Sequence, residues 1–154
     1  MPKWLALSAL VIALDQATKA WITSAFKLHE SLPVTTFFDL VWVYNVGAAF
    51  SFLAGASGWQ RWFFIALAIG VSGWIIVMLR QHAQDRLLSA ALALVLGGAI
   101  GNVIDRVTQG AVVDFLDFHY AGYHFPAFNV ADSAISIGVA LMLWHSFANS
   151  KPST

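Results

Sequence analysis

Four long apolar stretches govern what this chain can fold into. They run near Trp4–Ile22, Trp62–Leu79, Leu87–Ile104 and Val130–Phe147. Each is 18 or 19 residues long, and at ~1.5 Å rise per residue a helix of that length measures roughly 27–29 Å, close to the hydrocarbon thickness of a bilayer. The composition agrees: 59% of residues are hydrophobic and mean hydropathy is +0.72, above the roughly 45–50% apolar usage of soluble domains. The expected architecture is an all-α membrane protein of four transmembrane helices forming one domain, residues 1–154. The first stretch contains Asp15 and Lys19 and is followed by no small-residue cleavage site, so it is read as a retained span and not as a leader.

Charge and cysteine content remove several function classes. Eight basic residues balance eight acidic ones, leaving no basic patch to attract nucleic acid. With no cysteine, a disulfide framework, a thiol nucleophile and thiolate metal ligands are all excluded.

Lysine and arginine in short flanks set orientation in a membrane. With both termini cytoplasmic, the inner flanks carry Lys3, Arg80, Arg86 and Lys151, and the outer side carries Lys27 and Arg61. Four against two favours that arrangement. Both longer connectors, about 23–61 and 105–129, then face outward. In the first, Phe37 to Tyr44 is rich in β-branched and aromatic residues and predicts a strand. This makes a small extracytoplasmic β-containing connector between the first two helices. A membrane-dipping apolar loop is the alternative.

Polar residues inside such spans are rare and costly, so each is a candidate for function. Asp15 and Lys19 stand four apart, acid first, the favourable order for an intrahelical pair that neutralises itself. Gly97 and Gly101 form a small-xxx-small face for close helix packing. Asn102 and Arg106 share a helical face. Arg106 either snorkels to the interface, pairs with Asp105, or stands as a fixed cation beside two further acids.

Those acids are Asp114, in Val112-Val113-Asp114-Phe115, and Asp132, in Phe128-Asn129-Val130-Ala131-Asp132. Asn129 and Asp132 have capping-box spacing at a helix start, and Asp114 alone reads as a loop carboxylate. The topology puts both on one membrane face. Two carboxylates held together do not both ionise easily, so one keeps its proton near neutral pH. The ionised one can then take a proton from water while the other polarises a scissile carbonyl. That chemistry needs no metal and no cofactor. A zinc site built from Asp114, Asp117, His119 and His124 is a rival, although their spacing fits no standard ligand pattern.

Five segments, in order, carry a resemblance to a known family. They are Asp15-Gln16-Ala17-Thr18-Lys19, Asn45-Val46-Gly47-Ala48-Ala49-Phe50-Ser51, Gly101-Asn102-Val103-Ile104-Asp105-Arg106, Val112-Val113-Asp114-Phe115 and Phe128-Asn129-Val130-Ala131-Asp132. Together they resemble the lipoprotein signal peptidases, or signal peptidase II. The resemblance implies an aspartyl endopeptidase of the bacterial cytoplasmic (inner) membrane with its site towards the outer face. Its substrate would be a diacylglyceryl-modified prolipoprotein, cut immediately before the lipidated cysteine. Asp114 and Asp132 fall on the family's catalytic dyad. Asp15, Asn45, Asn102, Arg106 and Asn129 fall on positions that support the site or contact substrate. The resemblance also implies membrane lipid as a partner and inhibition by globomycin-type peptides; a monomer is expected. The competing classes are an ion-coupled transporter using Asp15, Lys19, Asp105 and Arg106 as relay groups, and a noncatalytic scaffold.

Overall fold

The computed structural model describes residues 1–47 and 58–149. Four helices are long and apolar enough to cross a membrane: α1 (Pro2–Ala25), α2 (Trp59–Gln81), α3 (Arg86–Thr108) and α4 (Val130–Asn149). Each overlaps one apolar stretch, and each extends beyond it into flanking polar sequence. Pro2 starts α1 without penalty, because the first-turn N–H it lacks has no helical partner anyway. Asp85 caps α3, its side chain accepting from the Leu88 N–H at 3.0 Å.

Helix α3 is the spine. More than half of its apolar window is buried, 56% against 28% or less in the other three helices. Small residues make that possible. A Cβ on Gly97 would come within 2.8 Å of the Ser8 carbonyl of α1, and one on Gly98 would strike the Ala131 carbonyl of α4. Gly138 of α4 is closed in the same way by the Ala91 carbonyl and Val95. Backbones that approach this closely leave room only for glycine. On the remaining side, Ile75 and Leu79 of α2 pack on Leu92 and Leu96. The outward faces keep large apolar side chains such as Trp62, Trp74, Leu143 and Trp144 exposed, as a lipid-facing surface requires.

Contacts fix which ends lie together. The Trp4 indole donates to the Ala83 carbonyl in the α2–α3 turn, and His145 near the end of α4 meets Asp85 at 2.6 Å. The start of α1, the α2–α3 turn and the end of α4 therefore share one end of the bundle.

The opposite end carries an antiparallel sheet in the order β1-β2-β3-β4, formed by β1 (Ser31–Thr35), β2 (Phe38–Asn45), β3 (Val112–Tyr120) and β4 (Tyr123–His124). The strand expected from Phe37–Tyr44 is β2. Beyond the expected four helices and β-containing first connector, the sheet draws on a second source. The second connector supplies β3 and β4, and β2 pairs with β3 from Phe38↔Phe118 to Asn45↔Val112. Alternation along β3 is hard to see in the sequence because its first half is buried throughout: Val112, Val113, Asp114 and Phe115 are all at 4% exposure or less. Val113 and Phe115 pack with Ile22 of α1, fixing the sheet to the bundle.

Candidate active site

The two aspartates arrive at one place by different routes. Asp114 sits on β3, paired with Val43 of β2. A register shift between Leu40 and Val43 bends the ladder just before that position. Asp132 lies in the first turn of α4. The segment leading into α4 is stitched to β3: Phe115 and Leu116 both donate to the Phe128 carbonyl, at 3.0 and 2.9 Å, and Phe128 donates back to Leu116 at 3.1 Å. The residue after Phe128 is thereby held against β3.

That residue is Asn129, fully buried. Its side-chain amide donates to Asp114 Oδ1 at 2.7 Å and to the Val113 carbonyl at 3.2 Å. Its Oδ1 accepts the Asp132 backbone N–H at 2.9 Å, half of the capping-box arrangement expected from the spacing. Asn129 thus touches both acidic residues at once. Asn102 of α3 completes the frame, donating to Asp132 Oδ1 at 2.8 Å and accepting from Lys19 Nζ at 3.1 Å.

The two carboxylates sit in unlike surroundings. Asp114 is only 2% exposed, and Asp132 is half-buried. Burial pushes the Asp114 carboxyl up to about 7, and the negative charge of Asp132 adds to it. Hydrogen bonds from Asn45 and Asn129 and the charge of Lys19 oppose the rise without cancelling it. Near neutral pH Asp114 therefore holds a proton far more readily than an ordinary aspartate does.

Asp132 borders a cavity of about 640 Å³. Phe64, Leu67, Val71, Val95 and Ile135 give it apolar walls, while Asn45, Asn102 and Arg106 stand with Asp132 among its polar members. Arg106 donates to the Gly47 carbonyl at 2.8 Å and lies over the Phe64 ring, 5.1 Å from its centroid. It neither snorkels free nor pairs with Asp105, which meets Lys19 instead at 2.8 Å. Ala48 to Ser51, in the second of the five motif segments, lie outside the described residues.

Five of the seven residues singled out from sequence (Asp114, Asp132, Asn45, Asn102 and Asn129) meet in this one frame, and Arg106 borders the same cavity. Asp15 stands behind it, bonded to Lys19 at 2.8 Å and accepting the Ala131 N–H at 2.9 Å. Sequence reasoning does not place Asp105 and Gln16 at the site, yet they close the buried cluster around Lys19. The available signal is Asp105 lying three residues after Asn102, on the same side of the helix. Of the rival zinc set, Asp117, His119 and His124 have partners other than Asp114. His119 binds Asp39 at 3.0 Å and His124 binds Asp117 at 2.8 Å, out on the sheet.

Comparison with known proteins identifies the family. Residues 7–148 match the family described as signal peptidase (SPase) II. The lipoprotein signal peptidase of Azoarcus sp. (strain BH72) is 59% identical over 94% of this chain and 82% of its own length. That of Yersinia enterocolitica is 51% identical over 94% of this chain and 86% of its own. A bacterial membrane enzyme solved by the in meso method superimposes with a TM-score of 0.86 at 33% identity, covering all of this chain and 94% of that one. With match and fold in agreement, the chain belongs to the signal peptidase II family of membrane peptidases.

Proposed function

We propose that this peptidase removes signal peptides from diacylglyceryl-modified prolipoproteins, cutting before the lipidated cysteine with water activated by Asp114 and Asp132. The observation that carries the reading is the Asn129 bridge, which ties a deeply buried carboxyl to a second acid on the wall of an apolar cavity. Asp132, ionised, takes a proton from the attacking water. Asp114, protonated, hydrogen-bonds the scissile carbonyl and passes its proton to the developing oxyanion. On collapse of the tetrahedral intermediate Asp132 gives the proton taken from water to the cysteine nitrogen as the C–N bond breaks, and Asp114 recovers its proton from a gem-diol hydroxyl as the new carboxyl forms. The products are a free signal-peptide carboxylate and a lipoprotein with a new amino terminus. No covalent intermediate is needed.

The apolar walls suit a substrate delivered through the bilayer by its lipid chains and its own apolar signal segment. The four-to-two bias of basic flanks supports placing the sheet end, and with it the site, at the outer face of a bacterial inner membrane. A cyclic peptide of the globomycin type would compete for the same cavity. We take the working unit to be the monomer, because both aspartates and their frame come from one chain.

The test is a gel-shift assay of the purified enzyme in nanodiscs with lipidated and unlipidated precursor, each with and without a metal chelator. The reading expects cleavage of the lipidated form alone, unchanged by chelator. Equal cleavage of both forms, or loss of cleavage with chelator, would overturn it.

A further inference from the structure

Behind the two aspartates lies a buried ionic cluster that their proposed chemistry does not use. Asp15 is fully buried, Lys19 is 2% exposed and Asp105 is 1% exposed. Lys19 Nζ lies 2.8 Å from Asp15 Oδ2 and 2.8 Å from Asp105 Oδ2. Gln16 donates to Asp105 Oδ1 at 2.9 Å, to Asp15 Oδ2 at 3.2 Å and to the Gly101 carbonyl at 3.2 Å. Every carboxylate oxygen in the cluster has a partner. A buried ion pair is poor evidence of stability, since its desolvation cost rivals its attraction. The expense calls for another explanation.

The remaining partners supply one. Asp15 Oδ1 accepts the N–H of Ala131 at 2.9 Å, and Ala131 immediately precedes Asp132. Asp105 Oδ2 accepts the N–H of Val113 at 3.0 Å, and Val113 immediately precedes Asp114. Each carboxylate of the cluster holds the backbone one residue upstream of one active-site acid. Lys19 joins the two carboxylates and also donates to Asn102 Oδ1, which leaves the Asn102 amide N–H pointing at Asp132.

We infer that Asp15, Asp105 and Lys19 are a positioning device: paired backbone clamps, locked together by one ammonium, that set the spacing and aim of Asp114 and Asp132. The assignment rests on those two residues being the reacting acids. Asp114 and Asp132 belong to different elements, β3 and α4; Asn129 and the Phe128 stitching join those elements to each other, while the cluster ties the backbone just before each acid to α1 and α3. Charged acceptors suit the task, because their hydrogen bonds are shorter and stronger than those of neutral carbonyls.

The experiment uses the full chain in nanodiscs and reads two things: steady-state cleavage of lipidated precursor, and hydrogen exchange at the Val113 and Ala131 amides. Asp105→Ala is expected to lower kcat by about 100-fold with KM nearly unchanged, the cost of a small misplacement of a reacting group. Exchange should quicken at Val113 and stay slow at Ala131. Asp15→Ala should do the reverse, and Lys19→Met should quicken both. Asp105→Asn keeps a weaker oxygen acceptor, so it should recover part of the kcat lost in Asp105→Ala and give intermediate exchange at Val113. Should Asp105→Ala fail to fold, Asp105→Asn alone decides, through whether Val113 exchange rises while Ala131 stays slow. Wild-type kcat in folded Asp105→Ala, or unchanged Val113 exchange in Asp105→Asn, would overturn the clamp. Failure of the acid pair itself looks different: Asp114→Asn or Asp132→Asn would still cleave, and the exchange pattern would be unaffected.

Discussion

Asn129 donates to the Asp114 carboxyl at 2.7 Å while its own side-chain oxygen caps the helix that begins at Val130 and carries Asp132. One amide therefore couples where a strand residue points to where a helix starts. Asn129→Ala removes both bonds, along with those to the Val113 carbonyl and Asn102. The expected result is a loss of about 1 kcal/mol of stability from the missing cap, with a larger loss of cleavage rate. Thermal unfolding followed beside kcat checks this; equal and small effects on both would show that Asn129 serves only the helix.

The proton on Asp114 has consequences for stability as well as for rate. Its carboxyl titrates at about 7 in the folded protein against an ordinary 3.8, so between those values the folded state binds more proton than the unfolded state. The linkage sign is then negative: this site's contribution to stability falls as pH rises towards 7 and is flat above it. Asp114→Asn cannot ionise. Relative to the parent protein it should gain stability as pH rises from 5 to about 7 and level off by pH 8, although it should not cleave. Melting curves at the two pH values check this, and a difference independent of pH would contradict the buried-acid assignment.

The same proton shapes the rate. Because the protonated form of Asp114 is assigned to polarise the carbonyl, kcat/KM should decline as pH rises through about 7. A profile level from pH 6 to pH 9 would exclude that role.

Gly101 faces Asp15 so closely that an added Cβ would sit 2.6 Å from Asp15 Oδ2. Gly101→Ala should cost about 1–3 kcal/mol through overpacking and should depress cleavage, since the displaced carboxylate is the one bound to Ala131. A Cβ added at Gly70 would meet nothing within 4 Å, so Gly70→Ala serves as the comparison and should leave both properties near those of the parent protein.

Much of this arrangement is legible in the sequence, for physical reasons that differ between elements. The helices announce themselves by length and apolarity, and β2 by its β-branched and aromatic run. β3 does not, because Val112 to Phe115 is buried throughout and so lacks the two-residue alternation of a half-exposed strand. The candidate site is legible where local spacing coincides with contact, as in Asn129 capping Asp132. The partners of Lys19 are only partly so. Its bond to Asp15 follows from helical spacing, whereas its bond to Asp105 spans two helices. That contact depends on glycine packing that sequence order alone does not reveal.

Single replacement of each acid tests the paired mechanism most directly. Asp114→Asn and Asp132→Asn, each reconstituted in nanodiscs and shown by circular dichroism to be folded, should each cleave lipidated precursor at no measurable rate in a single-turnover assay. Cleavage by either variant at a rate close to that of the parent protein would contradict a mechanism in which both carboxyls act on the same water and carbonyl.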